Sequence, residues 1–351
     1  MHQNPDHRSC PVATPPGKRS LSRRCVICAV VLSFLLTAMA GACPIPVYQY
    51  ALEWWERDPY DIYVFDTGAL TDDEQAALDL LDSISGGRRA EEIPANVRLF
   101  HVRAESEERI HAHSALRGEK PESLPWMAAY YPSLSRRIRA PMWTGKLNTQ
   151  NMQLLLDSPM RRKICDLLEK RVSTVWVLLE SGARHADAAA ARALEAELKR
   201  LQETLVPPDP SKWGWTDMVI SDIRFETLRL SRNDPEEQML VAMLLNSEPD
   251  LKDFKEPIVF PIFGRGLIMH ALVGDGINPQ MIRETAEFLT GSCSCTVKAA
   301  NPGKDLITTF DWNARVKPLT EKVTLPPGGL GAFLDSAEQL KQDLNADKQQ
   351  P

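Results

Sequence analysis

The sequence has 351 residues, 43% of them hydrophobic and 25% charged, a composition typical of a folded chain long enough for two domains. Of its 41 basic and 47 acidic residues, five basic and one acidic lie in residues 1–42, which leaves 36 basic and 46 acidic residues beyond them. This acidic balance argues against nucleic-acid binding, because phosphate contacts depend on clustered Lys and Arg.

Residues 1–42 have the pattern of an export signal. Basic residues up to Arg24 precede an apolar run over 26–39, and Ala40-Gly41-Ala42 is a small-x-small cleavage site. The apolar run is shorter than the roughly 20 residues of a spanning helix, although an uncleaved anchor is the alternative. Ser22-Arg23-Arg24 resembles a twin-arginine signal. We expect export to the periplasm or the outer envelope.

Cys43 follows the cleavage pattern directly and is a candidate for lipidation. Bacterial lipoproteins carry a lipid on the first mature residue, a cysteine, usually with Leu three positions before it. Here Ala40 stands at that position and Pro44 comes next. Membrane anchoring by a lipid on Cys43 and an unmodified Cys43 are therefore both alternatives.

The mature start, residues 43–60, predicts a short helix over 46–55. Its pattern C-x-x-P-V-x-x-Y-A-L-x-x-W, from Cys43 to Trp55, resembles the start of uncharacterised secreted bacterial proteins. That resemblance implies no particular chemistry.

Residues 61–171 predict a first β-α-β then β-β-α unit. Strands are expected over 61–65 and 96–102, joined by a helix over 71–81 that a Thr71/Glu74 capping box begins. The unit is completed by two further strands, expected over 124–131 and 142–145, and by two helices, expected over 148–156 and 158–170.

Residues 172–295 repeat this order. A buried strand over 172–180 and an amphipathic helix over 186–205 are followed by strand candidates over 225–230 and 239–245. The unit then ends with strands over 258–263 and 267–273 around a glycine turn, and with a helix that Asn278 caps and Pro279 begins.

Both units resemble the thioredoxin fold, which implies an α/β protein of two tandem thioredoxin-like units with mixed sheets flanked by helices. Pro125 and Pro257 match the proline before the third strand of that fold, for which a cis bond is expected. The positions of the redox Cys-x-x-Cys instead read Asp66-Thr67-Gly68 and Glu180-Ser181-Gly182. Pro261 departs from the pattern, because a proline inside an inner strand removes a ladder hydrogen bond.

The resemblance also predicts which residues lie on inner strands with helices on both faces. These residues are Ile62, Val64, Val97, Leu99, Val175, Val177, Ile258 and Phe260. Residues 296–325 are expected to form a C-terminal extension, and 326–351 a flexible tail with too few apolar residues to order it.

Cysteine and histidine are the only local signs of chemistry. Cys165 is expected to be an inert buried thiol, and Cys293-Ser294-Cys295 leaves several alternatives open. Cys293 and Cys295 could form a strained disulfide or bind Cu(I) or Zn(II), or one of them could bridge to Cys43. His270 could join a metal site but is typical of a core residue, and His111 and His113 are typical of solvated histidines.

No catalytic motif and no cofactor-binding motif occurs in the sequence. The leading hypothesis is a non-catalytic thioredoxin-like envelope protein that binds a partner protein or aids assembly of an envelope complex. The alternative is a thiol-disulfide or Cu(I)/Zn(II)-handling protein that acts through Cys293 and Cys295.

Overall fold

The structure is a computed structural model that describes residues 43–85, 95–103, 105, 123–132, 140–213, 216–293 and 304–319. These residues belong to one compact unit that begins at Cys43. Several predictions fall outside the described residues: the export signal over 1–42, His111, His113, Cys295 and the tail over 326–351.

Eleven strands and eight helices occur in the described part of the chain. The strands are β1 Cys43–Pro46, β2 Tyr60–Asp66, β3 Val97–Arg103, β4 Trp126–Tyr130, β5 Trp143–Lys146, β6 Thr174–Glu180, β7 Phe225–Ser231, β8 Ile258–Phe263, β9 Leu267–Ile268, β10 Leu272–Val273 and β11 Ser292–Cys293. The helices are α1 Val47–Trp54, α2 Asp72–Ile84, α3 Thr149–Leu156, α4 Pro159–Glu169, α5 Arg184–Thr204, α6 Gln238–Leu245, α7 Pro279–Thr290 and α8 Trp312–Arg315.

The strands form two mixed sheets and a small separate ribbon. Sheet 1 has the order β3-β2-β4-β5, and sheet 2 has the order β7-β6-β8-β10 with β9 also paired to β8. In each sheet the first two strands are parallel, and the third runs antiparallel to the first. The α/β class with two mixed sheets flanked by helices is confirmed, and the strand order of both sheets is compatible with a thioredoxin-like fold.

The two sheets also share one register. The first residue of β2, Tyr60, lies opposite the first residue of β3, Val97, and Thr174 of β6 lies opposite Phe225 of β7 in the same way. Each pair stays in register over seven residues. Equivalent positions of the two sheets can therefore be compared residue by residue.

One large apolar cluster lies between the sheets. Sheet 1 contributes Ile62 and Val64, and sheet 2 contributes Val175 and Val177, together with side chains of α2, α3, α4 and α6. The opposite face of sheet 2, which includes Leu178, packs on α5 and α7. Sheet 2 therefore has helices on both faces, as the sequence predicts.

Sheet 1 differs from this expectation. Its second face is an aromatic cluster of Tyr63, Phe65, Trp126 and Tyr130, to which no helix of the described residues contributes. Moreover, β3 is an edge strand among the described strands, so that Val97 and Leu99 do not lie on an inner strand there. The other six residues of that prediction, on β2, β6 and β8, do lie on inner strands.

The run over 239–245 is a helix, α6, and its prediction as a strand is wrong. Five of its seven apolar side chains are buried and join the cluster between the sheets, and the other two, Ala242 and Leu245, pack against it partly buried. A helix that is buried on nearly every side shows no amphipathic period, and a short apolar run is then indistinguishable from a buried strand.

The end of sheet 2 corrects three further expectations. The predicted strand over 267–273 is divided into β9 and β10. Among the described residues the only cis peptide is Leu124-Pro125, so that Pro257 is trans. Pro261 lies inside the inner strand β8, and its carbonyl accepts from the Met269 N–H at 2.8 Å, in the gap between β9 and β10. Its missing N–H therefore faces that gap and removes no bond to β6.

The segment 304–319 completes the core. Leu306 and Ile307 are fully buried in the cluster between the sheets. The buried Arg161 donates to the Ile307 carbonyl at 2.8 Å, and the buried Arg57 donates to the Thr308 carbonyl at 2.9 Å. This part of the predicted C-terminal extension is therefore an integral part of the fold.

Candidate functional site

The Asp66 cluster, which consists of Asp66, His101 and Arg103, lies at the carboxyl end of the parallel strands of sheet 1. Asp66 is the last residue of β2 and lies opposite Arg103, the last residue of β3. His101 precedes Arg103 by two residues, so that both side chains project from the same face of β3. In open α/β sheets, ligands bind beyond the carboxyl ends of the strands.

A buried carboxylate holds this cluster together. Asp66 is only 1% exposed, whereas the side chains of His101 and Arg103 are 28% and 54% exposed. Arg103 Nε donates to Asp66 Oδ1 at 3.0 Å, and His101 Nε2 hydrogen-bonds to Asp66 Oδ2. The Gly68 N–H donates to Asp66 Oδ1 at 2.6 Å. The Asp66 carboxylate thus holds the side chains of His101 and Arg103 and the start of the following loop.

The hydrogen bonds keep Asp66 ionised. Burial alone would raise the pKa of Asp66, but hydrogen bonds from His101, from Arg103 and from the Gly68 N–H outweigh burial, so that the pKa lies below its usual value. The carboxylate therefore acts as an acceptor, and parts of the His101 and Arg103 side chains are exposed to solvent. A guanidinium has five N–H donors, of which Nε supplies only one.

Sheet 2 carries a different arrangement at the same place. Glu180 ends β6, and Arg229 donates to Glu180 Oε1 at 2.7 Å, with side chains that are 26% and 52% exposed. The following loop is held by Asp187 instead, which accepts from Ser181 N–H at 2.7 Å and from Gly182 N–H at 3.0 Å. The carboxylate at the strand end is thus more exposed than Asp66 and holds no loop.

Glycine is required in both loops. Gly68 and Gly182, each two residues after its strand, have φ values of +98° and +89°. Such positive φ values favour glycine. Acid, hydroxyl and glycine therefore recur as Asp66-Thr67-Gly68 and Glu180-Ser181-Gly182, with the same backbone turn.

The predicted cysteine sites are brought together only in part. Cys165 is 2% exposed, and burial raises the pKa of its thiol to about 12, so that it is a neutral core residue. Cys43 and Cys293 are backbone partners in the β1–β11 ribbon. Cys295 lies beyond the described residues, which contain no group of three or more His, Cys, Asp or Glu side chains able to hold a metal ion.

His270 lies in the short segment between β9 and β10 rather than on a strand. One of its ring nitrogens, Nε2, hydrogen-bonds to Thr285 Oγ1 at 3.0 Å. Burial lowers its pKa, which keeps the ring neutral. These contacts are those of a partly buried structural histidine.

One other surface carries less chemistry. A groove of about 380 Å³ lies beside α2, α3 and α4, with Leu80, Leu154, Arg162 and Glu236 in its lining. It holds no cluster of hydrogen-bonded ionisable groups comparable to that around Asp66.

Within the described ranges, no helix has the length and the apolar composition needed to cross a membrane.

Comparison with known proteins gives no assignment. No protein-family model matches the chain, and no curated protein matches it at a significant level. The function must therefore be inferred from the residues of the structure.

The sequence reasoning did not select Asp66, His101 or Arg103 as site residues. A signal was present, because an acid followed by a hydroxyl residue and glycine directly after a buried strand predicts a loop at the carboxyl end of the sheet. The histidine and the arginine end the next parallel strand, and the carboxyl ends of parallel strands meet at one edge.

Proposed function

We propose that this protein is a non-catalytic thioredoxin-like protein of the bacterial envelope that binds a partner protein through the Asp66 cluster. The strand order of both sheets is compatible with the fold, and the residues after the first strand of each unit contain no cysteine. Thiol chemistry at those positions is therefore excluded by composition.

The Asp66 cluster carries this proposal. Asp66 is buried and ionised, and it holds the half-exposed Arg103 beside the partly exposed His101. An aspartate and a histidine also occur together in catalytic triads, but Asp66 holds His101 through Nε2, the nitrogen that faces the nucleophile in the serine-protease triad, and the described contacts of His101 include no serine, threonine or cysteine. The cluster is thus better suited to binding than to nucleophilic catalysis.

The ligand chemistry follows from the donors. Arg103 presents further N–H groups beyond the one that Asp66 accepts, and guanidinium groups pair with carboxylates in a bidentate manner. We therefore expect the partner to contribute a carboxylate. Residues 1–42, with their export pattern, support an envelope location for this binding.

Site-specific photo-crosslinking tests the proposal. A photoreactive amino acid is placed at the exposed Thr67, beside the Asp66 cluster, and at Ser181, the equivalent position of sheet 2. In the native host, one defined envelope protein should be crosslinked from Thr67 and not from Ser181. Equal adducts from both positions, or none from Thr67, would contradict the proposal.

A pair of arginine variants provides the matched control. Arg103→Ala should weaken crosslinking from Thr67 roughly tenfold or more, because a charge-assisted hydrogen bond contributes roughly 1.5–3 kcal/mol. Arg229→Ala, which removes the arginine that pairs with Glu180 in sheet 2, should leave crosslinking unchanged. If both variants weaken crosslinking equally, the binding surface is not at the Asp66 cluster.

The alternative function is tested separately. An insulin-reduction assay and a Cu(I) competition titration on the purified protein should both give no signal. Activity in either assay that Cys295→Ser abolishes would favour a thiol or copper function over partner binding.

A further inference from the structure

The β1–β11 ribbon brings two distant cysteines into register. β1 and β11 pair antiparallel, and Cys43 and Cys293 are direct Cα partners, although the register shifts further along β1, between Cys43 and Pro46. The two residues stand 250 positions apart in the chain, and each begins or ends a short strand. No other described strands pair with this ribbon.

Packing holds the ribbon in place. The Val47 N–H, one residue after β1, donates to the carbonyl of Gly291, one residue before β11, at 3.0 Å. The following helix α1 packs Val47, Tyr48 and Ala51 against Leu289 of α7. The backbone at Cys43 is therefore fixed against the backbone at Cys293 by contacts that do not involve either cysteine.

This register suits a disulfide bond. Directly opposite residues of an antiparallel pair have Cα atoms about 4.5 or 5.5 Å apart. Disulfide-bonded cysteines have Cα atoms roughly 4.4–6.8 Å apart. Both spacings of the ladder thus fall within the range that a disulfide requires.

We propose that Cys43 and Cys293 form a disulfide bond in the exported protein. The oxidant is a thiol-disulfide oxidoreductase of the extracytoplasmic compartment. One cysteine thiolate attacks the oxidant's disulfide and forms a mixed disulfide, and the second thiolate then displaces the reduced oxidant. The chain loses two protons and two electrons, and the oxidant gains them as a dithiol.

The bridge decides between the alternatives that the sequence leaves open. A sulfur bonded to Cys293 cannot also carry a lipid thioether, so Cys43 is not lipidated. The Cys293 sulfur is equally unavailable to a metal ion or to a strained bond with Cys295. The bridge therefore joins the mature start of the chain to the end of α7 and leaves Cys295 as a free thiol.

Peptide mapping of the exported protein tests the bridge directly. The full chain is expressed in a bacterium with residues 1–42 intact, isolated from the envelope fraction and alkylated in denaturant before any reduction. A linked peptide pair containing Cys43 and Cys293, with alkylated Cys295 and Cys165, is the expected result. A Cys43–Cys295 link, a Cys293–Cys295 link, a lipid on Cys43 or alkylation of both Cys43 and Cys293 would each overturn it.

Variants supply an independent measurement. Dithiothreitol should lower the Tm of the unmodified protein by about 5–10 °C and that of Cys295→Ser by the same amount. Cys43→Ser and Cys293→Ser should start from the lower Tm and not respond to dithiothreitol. If Cys295→Ser removes the response instead, the bridge uses Cys295 and the proposal is wrong.

Discussion

Sheets 1 and 2 share one backbone plan but differ at the carboxyl end of their parallel strands. In sheet 1, β2 ends in the buried Asp66, which binds His101, Arg103 and the loop that follows it. In sheet 2, β6 ends in the more exposed Glu180, which pairs with Arg229, and Asp187 holds the following loop. The register thus determines which residues meet, whereas burial and partners determine what they can do.

The two sheets share their backbone geometry but differ in their helix coverage and in their ionisable groups. The seven-residue register is common to both sheets, and so is the glycine turn with positive φ. Sheet 2 is covered by helices on both faces. At the carboxyl end of its parallel strands, sheet 1 groups His101 and Arg103 around one buried carboxylate. We expect this contrast in structure to be a contrast in unfolding free energy and in binding as well.

The largest effect is expected in the core of sheet 2. Leu178 of β6 is fully buried against the helices α5 and α7. Leu178→Ala should therefore leave a cavity and cost roughly 2–5 kcal/mol of unfolding free energy. Lys199→Ala, on the exposed face of α5, should cost less than about 0.5 kcal/mol. Urea denaturation measures both, and equal costs would mean that Leu178 does not pack as described.

A smaller effect is expected at the Asp66 cluster. Asp66→Asn keeps the shape of the side chain but removes the charge that His101 and Arg103 share, which should cost about 1–3 kcal/mol of unfolding free energy. Glu180→Gln is the matched change in sheet 2 and should cost no more than about 1 kcal/mol, because its ion pair is exposed to solvent. A larger cost for Glu180→Gln than for Asp66→Asn would reverse the comparison.

The contribution of Asp66 should also depend on pH. Its pKa is lower in the folded protein than in the unfolded chain, where an aspartate titrates near about 3.9. The stabilisation is therefore complete above about pH 5 and is lost as the pH falls below about 4, through the folded pKa. The difference in unfolding free energy between the unmodified protein and Asp66→Asn should shrink over that range.

Denaturation curves at pH 7, 4 and 3 provide the measurement, with Glu180→Gln as the control for general acid effects. A difference between the unmodified protein and Asp66→Asn that stays constant down to pH 3 would show that the charge of Asp66 is not what stabilises the cluster.

Strong local patterns made much of the fold predictable. The buried strand that contains Val177 and the capping box of Thr71 and Glu74 both have sequence patterns that depend only on neighbouring residues. The helix α6 could not be predicted, because its apolar residues are buried nearly all round and show no period. A short, uniformly apolar run such as 239–245 therefore fits a buried strand as well as a buried helix.

The site was less predictable, because it depends on pairing between distant segments. His101 meets Asp66 only through the parallel register of β2 and β3, and 35 residues separate them in the chain. The pairing of Cys43 with Cys293 depends in addition on α1 packing against α7. A sequence pattern can nominate such residues, but register and packing decide which of them meet.

The smallest effect is expected for iodoacetamide treatment of the native protein at Cys165, which belongs to the cluster between the two sheets. Its thiol is 2% exposed and its pKa is raised to about 12, so that almost no thiolate forms at pH 8. Iodoacetamide should therefore leave Cys165 unmodified in the native protein and modify it fully in urea, as peptide mapping would show. Because residues from both sheets surround it, labelling should become measurable only when the whole unit unfolds. Labelling well below the urea midpoint would show that one sheet opens independently of the other.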